Sequence, residues 1–316
     1  MKKYDAIIIG GGAAGMSATK TLANQNKSVL LIETEAVLGG VLNQCIHSGF
    51  GVEYYQEDLT GPTFANRLAN ELKETSATIE LGSHVLSVNE DKEVEYTNET
   101  GYYKVCAKAI IFALGSLERS AGAIALPGKR LNGIHTAGSA QQYINMEGNL
   151  VGKKIFILGS GDIGLIMARR MHLEGAKILG VAEMMPYSNG LARNIAQCLN
   201  DFDIPLYLSH VVSDCRGDDN LSQVEICEID EQFNLIKGTE KQFDVDTLLL
   251  AVGLIPINTL YKMLNLEIDN KTKSIKVDSN YQTSLPGFFS CGNCLHVHDI
   301  VDFAAIEGEI AATYCN

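Results

Sequence analysis

An α/β fold in two domains is what the sequence predicts, and three observations predict it. Residues 5–10, an apolar run that ends in glycine, lead through Gly10-Gly11-Gly12-Ala13-Ala14-Gly15 into a segment of helical periodicity. The same order of features returns 149 residues later, counted from Gly10 to Gly159. Two further apolar runs, residues 109–115 and 247–253, both close on Ala-x-Gly.

The uninterrupted Ala6-Ile7-Ile8-Ile9 suits a strand covered on both faces. Gly10, Gly12 and Gly15, with Ala14 between the last two, have the G-x-G-x-x-G spacing, and each glycine has a physical task. The first permits a tight turn, the second lets the backbone approach a pyrophosphate, and the third lets helix and strand pack closely. Ala14, Ala18 and Leu22 then recur at helical spacing, and a second apolar strand, Val29–Ile32, ends in Glu33. From Gly15 to Glu33 is 18 residues, close to the roughly 20 of a dinucleotide-binding βαβ unit whose terminal carboxylate accepts hydrogen bonds from the ribose. The helix start would offer free N–H groups and the positive end of its dipole to the phosphates.

The second copy runs through residues 155–158, Gly159-Ser160-Gly161-Asp162-Ile163-Gly164, a helix containing Met167 and Met171, residues 178–182 and Glu183. A single G-x-G-x-x-G is weak evidence, and two glycine-rich turns in a generic α/β protein would explain the motifs alone. The Ala-x-Gly pairs, Ala113 with Gly115 and Ala251 with Gly253, oppose that simpler reading. The fold expected is therefore two Rossmann-like dinucleotide-binding domains.

Composition agrees and excludes other classes. A chain of 316 residues has room for two domains, and 46% apolar and 20% charged residues with 6 prolines make an ordered globular protein. Its net charge of −13 and the absence of a basic run argue against nucleic acid and acidic membranes as partners. No apolar stretch approaches the roughly 20 residues of a membrane span. Met1-Lys2-Lys3 before an apolar run imitates a secretory signal, but Asp5 and Gly10-Gly11-Gly12 spoil its core. The 8 cysteines are scattered rather than spaced as a disulfide framework, so a reducing, cytoplasmic setting is expected.

Strand, G-x-G-x-x-G, A-x-G, a second pair of these, and a closing Pro286-Gly287-Phe288-Phe289-Ser290-Cys291-Gly292-Asn293 follow one another in that order. This succession resembles the pyridine nucleotide-disulfide oxidoreductase superfamily over essentially the whole chain, and the length is similar to its small thioredoxin-reductase-like branch. The resemblance implies FAD on the first unit and a nicotinamide dinucleotide on the second. It also implies a discontinuous FAD domain, residues 1–116 and 247–316, around a nicotinamide domain of residues 117–246. Flavin contacts are implied for Gly39, Gly40, Val41 and Leu42 in the loop after Glu33, and an adenine contact for the backbone at Val85. Gly292 and Asn293 stand where the family has Gly-Asp, whose acid binds the ribityl chain; an amide both donates and accepts, so FAD binding is expected to survive. The Ala-rich segment Val301–Tyr314 is expected to be a helix whose positive end favours reduced flavin. Glu183 would repel a 2′-phosphate, and Met184-Met185 follow where NADPH-using relatives carry arginines, so NADH is expected in preference to NADPH. A homodimer or hetero-oligomer is implied as well.

Chemistry beyond the flavin is less legible. Thioredoxin reductases carry C-x-x-C upstream of the second glycine motif, where residues 135–141 contain no cysteine. Glutathione-reductase-like members carry C-x-x-x-x-C after Gly-Gly, where only Cys45 is present. Cys45, assisted by His47, is a candidate catalytic thiol provided its pKa is depressed; the alternative is a flavin-contacting or structural thiol. Cys291 and Cys294 form the one C-x-x-C, and with His296 and His298 they gather four potential metal ligands. A structural zinc site draws its second ligand pair from a separate turn, so no metal is expected, and the histidines with Asp299 and Asp302 read as a loop near the flavin.

Residues 42–51, 57–62 and 292–302 narrow the resemblance to the FAD-dependent subunits that accompany bacterial glycerol-3-phosphate dehydrogenases and proline- and octopine-type dehydrogenases. It implies an NADH:acceptor oxidoreductase serving a partner flavoprotein, with orientation of the nicotinamide rather than an acid–base pair supplying the rate. A thiol/disulfide or peroxide reductase using Cys45 or Cys291/Cys294 is the alternative, and a nucleotide-holding scaffold without turnover is a third.

Overall fold

The computed structural model describes residues 1–315, and the chain forms two compact units, Met1–Leu117 with Ile255–Asn316, and Glu118–Leu254. The α-helices of the described residues are α1 (Ala13–Asn24), α2 (Gly61–Lys73), α3 (Ala137–Glu147), α4 (Asp162–Leu173), α5 (Ala192–Cys198) and α6 (Val301–Tyr314).

In the first unit, strand Lys2–Ile9 pairs in parallel with Val29–Ile32 on one side and Gly101–Phe112 on the other. It begins earlier than the apolar run because Lys2 and Lys3 are already in register with Val105 and Cys106. Alternate residues serve opposite faces: Ala6 and Ile8 join the core cluster of α1, α2 and α6, whereas Ile7 and Ile9 join the cluster around Phe112, Tyr261 and Phe288. Both faces being covered is why the strand reads as apolar throughout, each such side chain contributing about 1.5–3 kcal/mol on burial. The outer strand Thr78–Glu80 and the closing strand Phe288–Ser290 complete the parallel part. The first half of Gly101–Phe112 pairs antiparallel with Glu93–Asn98, which pairs with His84–Val88.

The second unit repeats this plan. Its parallel sheet runs Ile134–Thr136, Thr247–Leu250, Lys154–Leu158, Lys177–Glu183, Leu206–Leu208. A three-stranded antiparallel meander, His210–Gly217, Leu221–Glu228 and Lys241–Asp244, precedes the strand that ends at Leu250. The expected α/β fold with two dinucleotide-binding units is thus observed. The second unit ends at Leu254, beyond the expected 246, because Thr247–Leu250 is hydrogen-bonded between Ile134–Thr136 and Lys154–Leu158.

The turn from strand to helix explains the glycine spacing. Gly10 has φ +108°, and a Cβ there would stand 2.3 Å from the Ala113 carbonyl oxygen. A Cβ on Gly15 would stand 1.8 Å from the Gly10 carbonyl oxygen, inside any van der Waals contact. In the second unit Gly159 meets the Ala251 carbonyl and Gly164 the Gly159 carbonyl in the same way, at 2.1 and 2.4 Å. The Ala-x-Gly echo is therefore a packing partner of the glycine motif.

Gly15→Ala is expected to lower stability by about 1–3 kcal/mol, the cost of overpacking a close contact. Gly12→Ala, whose Cβ would meet nothing within 4 Å, is expected to cost less than half of that, apart from any ligand effect. Urea unfolding followed by circular dichroism on the two variants checks the ranking.

Candidate functional site

The first glycine turn leaves an open cradle. Gly12 caps α1 with no side-chain hydrogen bond and no acidic residue in the first turn. The opening N–H groups of α1 thus face a space that a Cβ on Gly12 would begin to fill, as an anion site requires. Glu33 is buried and turns its carboxylate back onto this turn. Its Oε2 accepts the Gly11 N–H and its Oε1 accepts the Glu35 N–H at 2.7 Å. Gly11 has no room for a side chain, since a Cβ would lie 2.7 Å from the Leu38 methyl and 2.8 Å from Glu33 Oε2. A carboxylate offers about four lone-pair positions, so these two bonds leave acceptor capacity for a ribose hydroxyl.

The second turn holds its acid in the same grip. Gly161 caps α4, again without a side-chain bond and with open space at its Cβ position. Glu183 Oε2 accepts from Ser160 N at 3.0 Å and Ser160 Oγ at 2.8 Å, and Oε1 accepts from Met185 N at 3.0 Å. Glu183 is buried, so its carboxylate is aimed at the turn and not at solvent. Two differences distinguish the copies. Ser160 replaces Gly11 and takes one more lone pair of the acid. Asp162 stands in the first turn of α4, where the first unit has Ala13, and its Oδ1 is drawn aside by Leu191 N at 2.8 Å and Asn194 Nδ2 at 2.7 Å.

The remaining expected cofactor residues fall into groups. Gly39 (φ +116°) and Gly40 (φ +53°) turn the loop after Glu33 beside the first cradle, with Gly39 N donating to Gly11 O at 2.9 Å. Val41 is exposed, but Leu42 is buried in the core beside Phe64 and Ala65, so only its main chain is available to a ligand. Val85 packs partly against the core, and the turn before it is tied to the acid by Ser83 N to Glu33 O at 2.8 Å. Ala113 and Gly115 follow the central strand of the first unit, Ala251 and Gly253 (φ +97°) hold the matching places in the second, and the half-buried Ile163 of α4 stands where α1 has Ala14. Gly292 lies against Ala14 of α1. The Asn293 amide oxygen accepts the His298 N–H at 3.1 Å, so its acceptor is turned to its own loop.

The family model for pyridine nucleotide-disulphide oxidoreductases matches residues 4–309. The chain belongs to that family. It is accordingly an enzyme, a flavoprotein oxidoreductase, and FAD and a nicotinamide nucleotide are the cofactors typical of the family. A ferredoxin–NADP reductase of Geobacillus kaustophilus is 26% identical, covering 99% of this chain and 88% of its own length. The hydrogen cyanide synthase subunit HcnB of Pseudomonas protegens is 25% identical over 97% of this chain and 67% of its own. The thioredoxin reductase structure from T. acidophilum superposes with a TM-score of 0.80 at 22% identity, covering 100% of this chain and 98% of that one, a likeness of fold. Among the described residues, no helix is long and apolar enough to cross a membrane.

Of the cysteines that the sequence offers for redox chemistry, Cys45 is half-buried and Cys291 and Cys294 are buried. Cys45 closes the short 3-10 turn Gly40–Gln44, its thiol directed at the Val41 carbonyl at 3.3 Å, and burial pushes that thiol up to about 11. That is the direction opposite to the depressed pKa a catalytic thiol needs. His47 Nδ1 lies 3.0 Å from the Ser48 carbonyl and its ring packs on Phe50. Cys291 and Cys294 are both fully buried and not disulfide-bonded. Cys291 belongs to the core on the α1 side of the sheet and Cys294 to the core on the Phe112 side, so the C-x-x-C points its two sulfurs into different clusters.

Sequence reasoning places Asp302 in a loop and misses Glu307 of α6. Asp302 is buried in its first turn and not in a loop, and accepts Gly51 N, Glu53 N and Tyr54 N at 3.0, 3.0 and 2.9 Å. Glu307 is buried midway along it. Acids inside an otherwise small and apolar helix were the available signal.

Alkylation of Cys45, followed by mass spectrometry of its peptide, is expected to accelerate about tenfold per pH unit between pH 7 and 10, because the thiolate fraction grows in that proportion below a pKa near 11. A rate that levels off below pH 8 would mean an activated thiol.

Proposed function

We propose that the first unit holds FAD, that the second holds NADH, and that the protein passes electrons from NADH to an acceptor, as a subunit or partner of a dehydrogenase. The observation that carries this reading is the paired grip of Glu33 and Glu183 on their own glycine turns. Each places a carboxylate at a strand end beside an open helix start, where the ribose and pyrophosphate of a dinucleotide would lie together. The roles proposed are phosphate approach at Gly12 and Gly161, and ribose binding at Glu33 and Glu183. Gly39, Gly40 and the Gly292–Asn293 turn would flank the flavin.

The preference for NADH is supported by charge. Glu183 is buried at the tip of its strand, and no Lys or Arg occurs from residue 184 to 192 to receive a 2′-phosphate. Bound FAD would accept the hydride and release the electrons onward. Within the chain, the raised Cys45 thiol and the two buried cysteines at 291 and 294 favour release to an outside acceptor over a thiol relay. A partner protein is supported by the relative named as a subunit of a synthase.

Anaerobic titration of the purified holoprotein, read as bleaching of the flavin absorbance, tests the proposal. NADH is expected to reduce the flavin at concentrations at least about tenfold below NADPH, a differential of roughly 1.4 kcal/mol, and Glu183→Ala is expected to narrow that gap. Equal reduction by both nucleotides, or a preference untouched by the substitution, would contradict it.

A further inference from the structure

We infer that His296, His298 and Glu307 form a binding site for a divalent transition-metal ion of the zinc type. The two histidines alternate on the loop that follows the 3-10 turn Gly292–Cys294, and Glu307 reaches them from α6. One donor atom from each residue lies within 4.8 Å of the others. The individual separations are 3.4 Å from His296 Nδ1 to Glu307 Oε1 and 3.1 Å from His298 Nε2 to Glu307 Oε2. Ligands of a tetrahedral ion with bonds of about 2.0–2.1 Å stand roughly 3.3 Å apart, so each histidine stands from the carboxylate at about the spacing of two ligands of one ion.

Charge and orientation point the same way. The Glu307 side chain is 5% exposed and that of His298 10%, and the carboxylate lies against both imidazoles. A buried carboxylate is costly unless paired or coordinating a metal, and two imidazoles against one carboxylate are a donor set that a single cation would hold together. The Gly292 N–H donates to Glu307 Oε2, an outer contact that fixes the carboxylate as metal ligands are commonly fixed. Two imidazoles and one carboxylate suit zinc, cobalt or nickel and not magnesium or calcium, which favour oxygen ligands. The His296 side chain is 53% exposed, so the remaining coordination position opens to solvent. The neighbouring cysteines take no part: the Cys294 thiol is engaged with the Phe112 and Cys291 carbonyls at 3.4 and 3.2 Å. The separate element that a metal site needs is therefore α6, contributing a carboxylate where the sequence reading looked for a second ligand pair.

Cobalt(II) titration of the metal-stripped full-length protein tests this independently of flavin and nucleotide. A visible ligand-field band that saturates at a single equivalent, and is displaced by zinc, is expected. His298→Ala and Glu307→Gln should each weaken binding by at least about tenfold. His296→Ala, at the most exposed of the three positions, should weaken it as well. Absence of the band in excess cobalt, a band of unchanged affinity in all three variants, or an intense near-ultraviolet sulfur-to-cobalt band would overturn the assignment.

Discussion

Everything else in each unit depends on one contact that a side chain would forbid: the start of a helix resting directly on the carbonyl that ends a strand. Gly15 sits on the Gly10 carbonyl and Gly10 on that of Ala113, so strand, helix and the neighbouring strand meet backbone to backbone. This closeness brings the first N–H groups of α1 to the sheet edge with no side chain in front of them. It also brings Gly11 within reach of Glu33, whose carboxylate ties the turn to the end of the next strand. The chemistry proposed for the site is a consequence of that packing, because open N–H groups and a fixed acid are what phosphates and a ribose require.

The second unit solves the same problem with different residues. Ser160 donates to Glu183 through both its N–H and its hydroxyl, where Gly11 has only an N–H to offer. In the first unit the last strand of the meander runs without a break into the Ala-x-Gly strand, whereas in the second it divides into Lys241–Asp244 and Thr247–Leu250. The short strand beside the Ala-x-Gly strand comes late in the first unit, as Phe288–Ser290, and early in the second, as Ile134–Thr136; each leads on to a helix, α6 or α3. One frame thus carries two separately tuned acids, which is what two different dinucleotides demand.

The repeat was legible in the sequence because its signals are local. An apolar run, a glycine spacing and a terminal acid each follow from contacts within about thirty residues, and both copies could be aligned from them. The equivalence of Ile134–Thr136 with Phe288–Ser290 was not, since three-residue strands have no period and chain order hides it. Leu42 follows Gly39-Gly40, where the resemblance implies a flavin contact, and that its side chain belongs to the core cluster of Phe64 is not legible from this place in the chain. Cys291 and Cys294 read as a pair by spacing, yet the turn between them sends the sulfurs to opposite faces of the sheet. Glu307 is nine positions beyond His298, and only the packing of α6 against Gly292 reveals that the two meet.

If the two glycine turns are separate seats with separate ligands, substitutions crossed between them separate the two ligands. Flavin content and the dissociation constant for NADH would be measured, by absorbance and calorimetry, in Gly12→Val and in Gly161→Val. The first variant is expected to lose FAD while still binding NADH, and the second to keep FAD while losing NADH. Loss of both ligands in either folded variant, or retention of FAD in Gly12→Val, would contradict it.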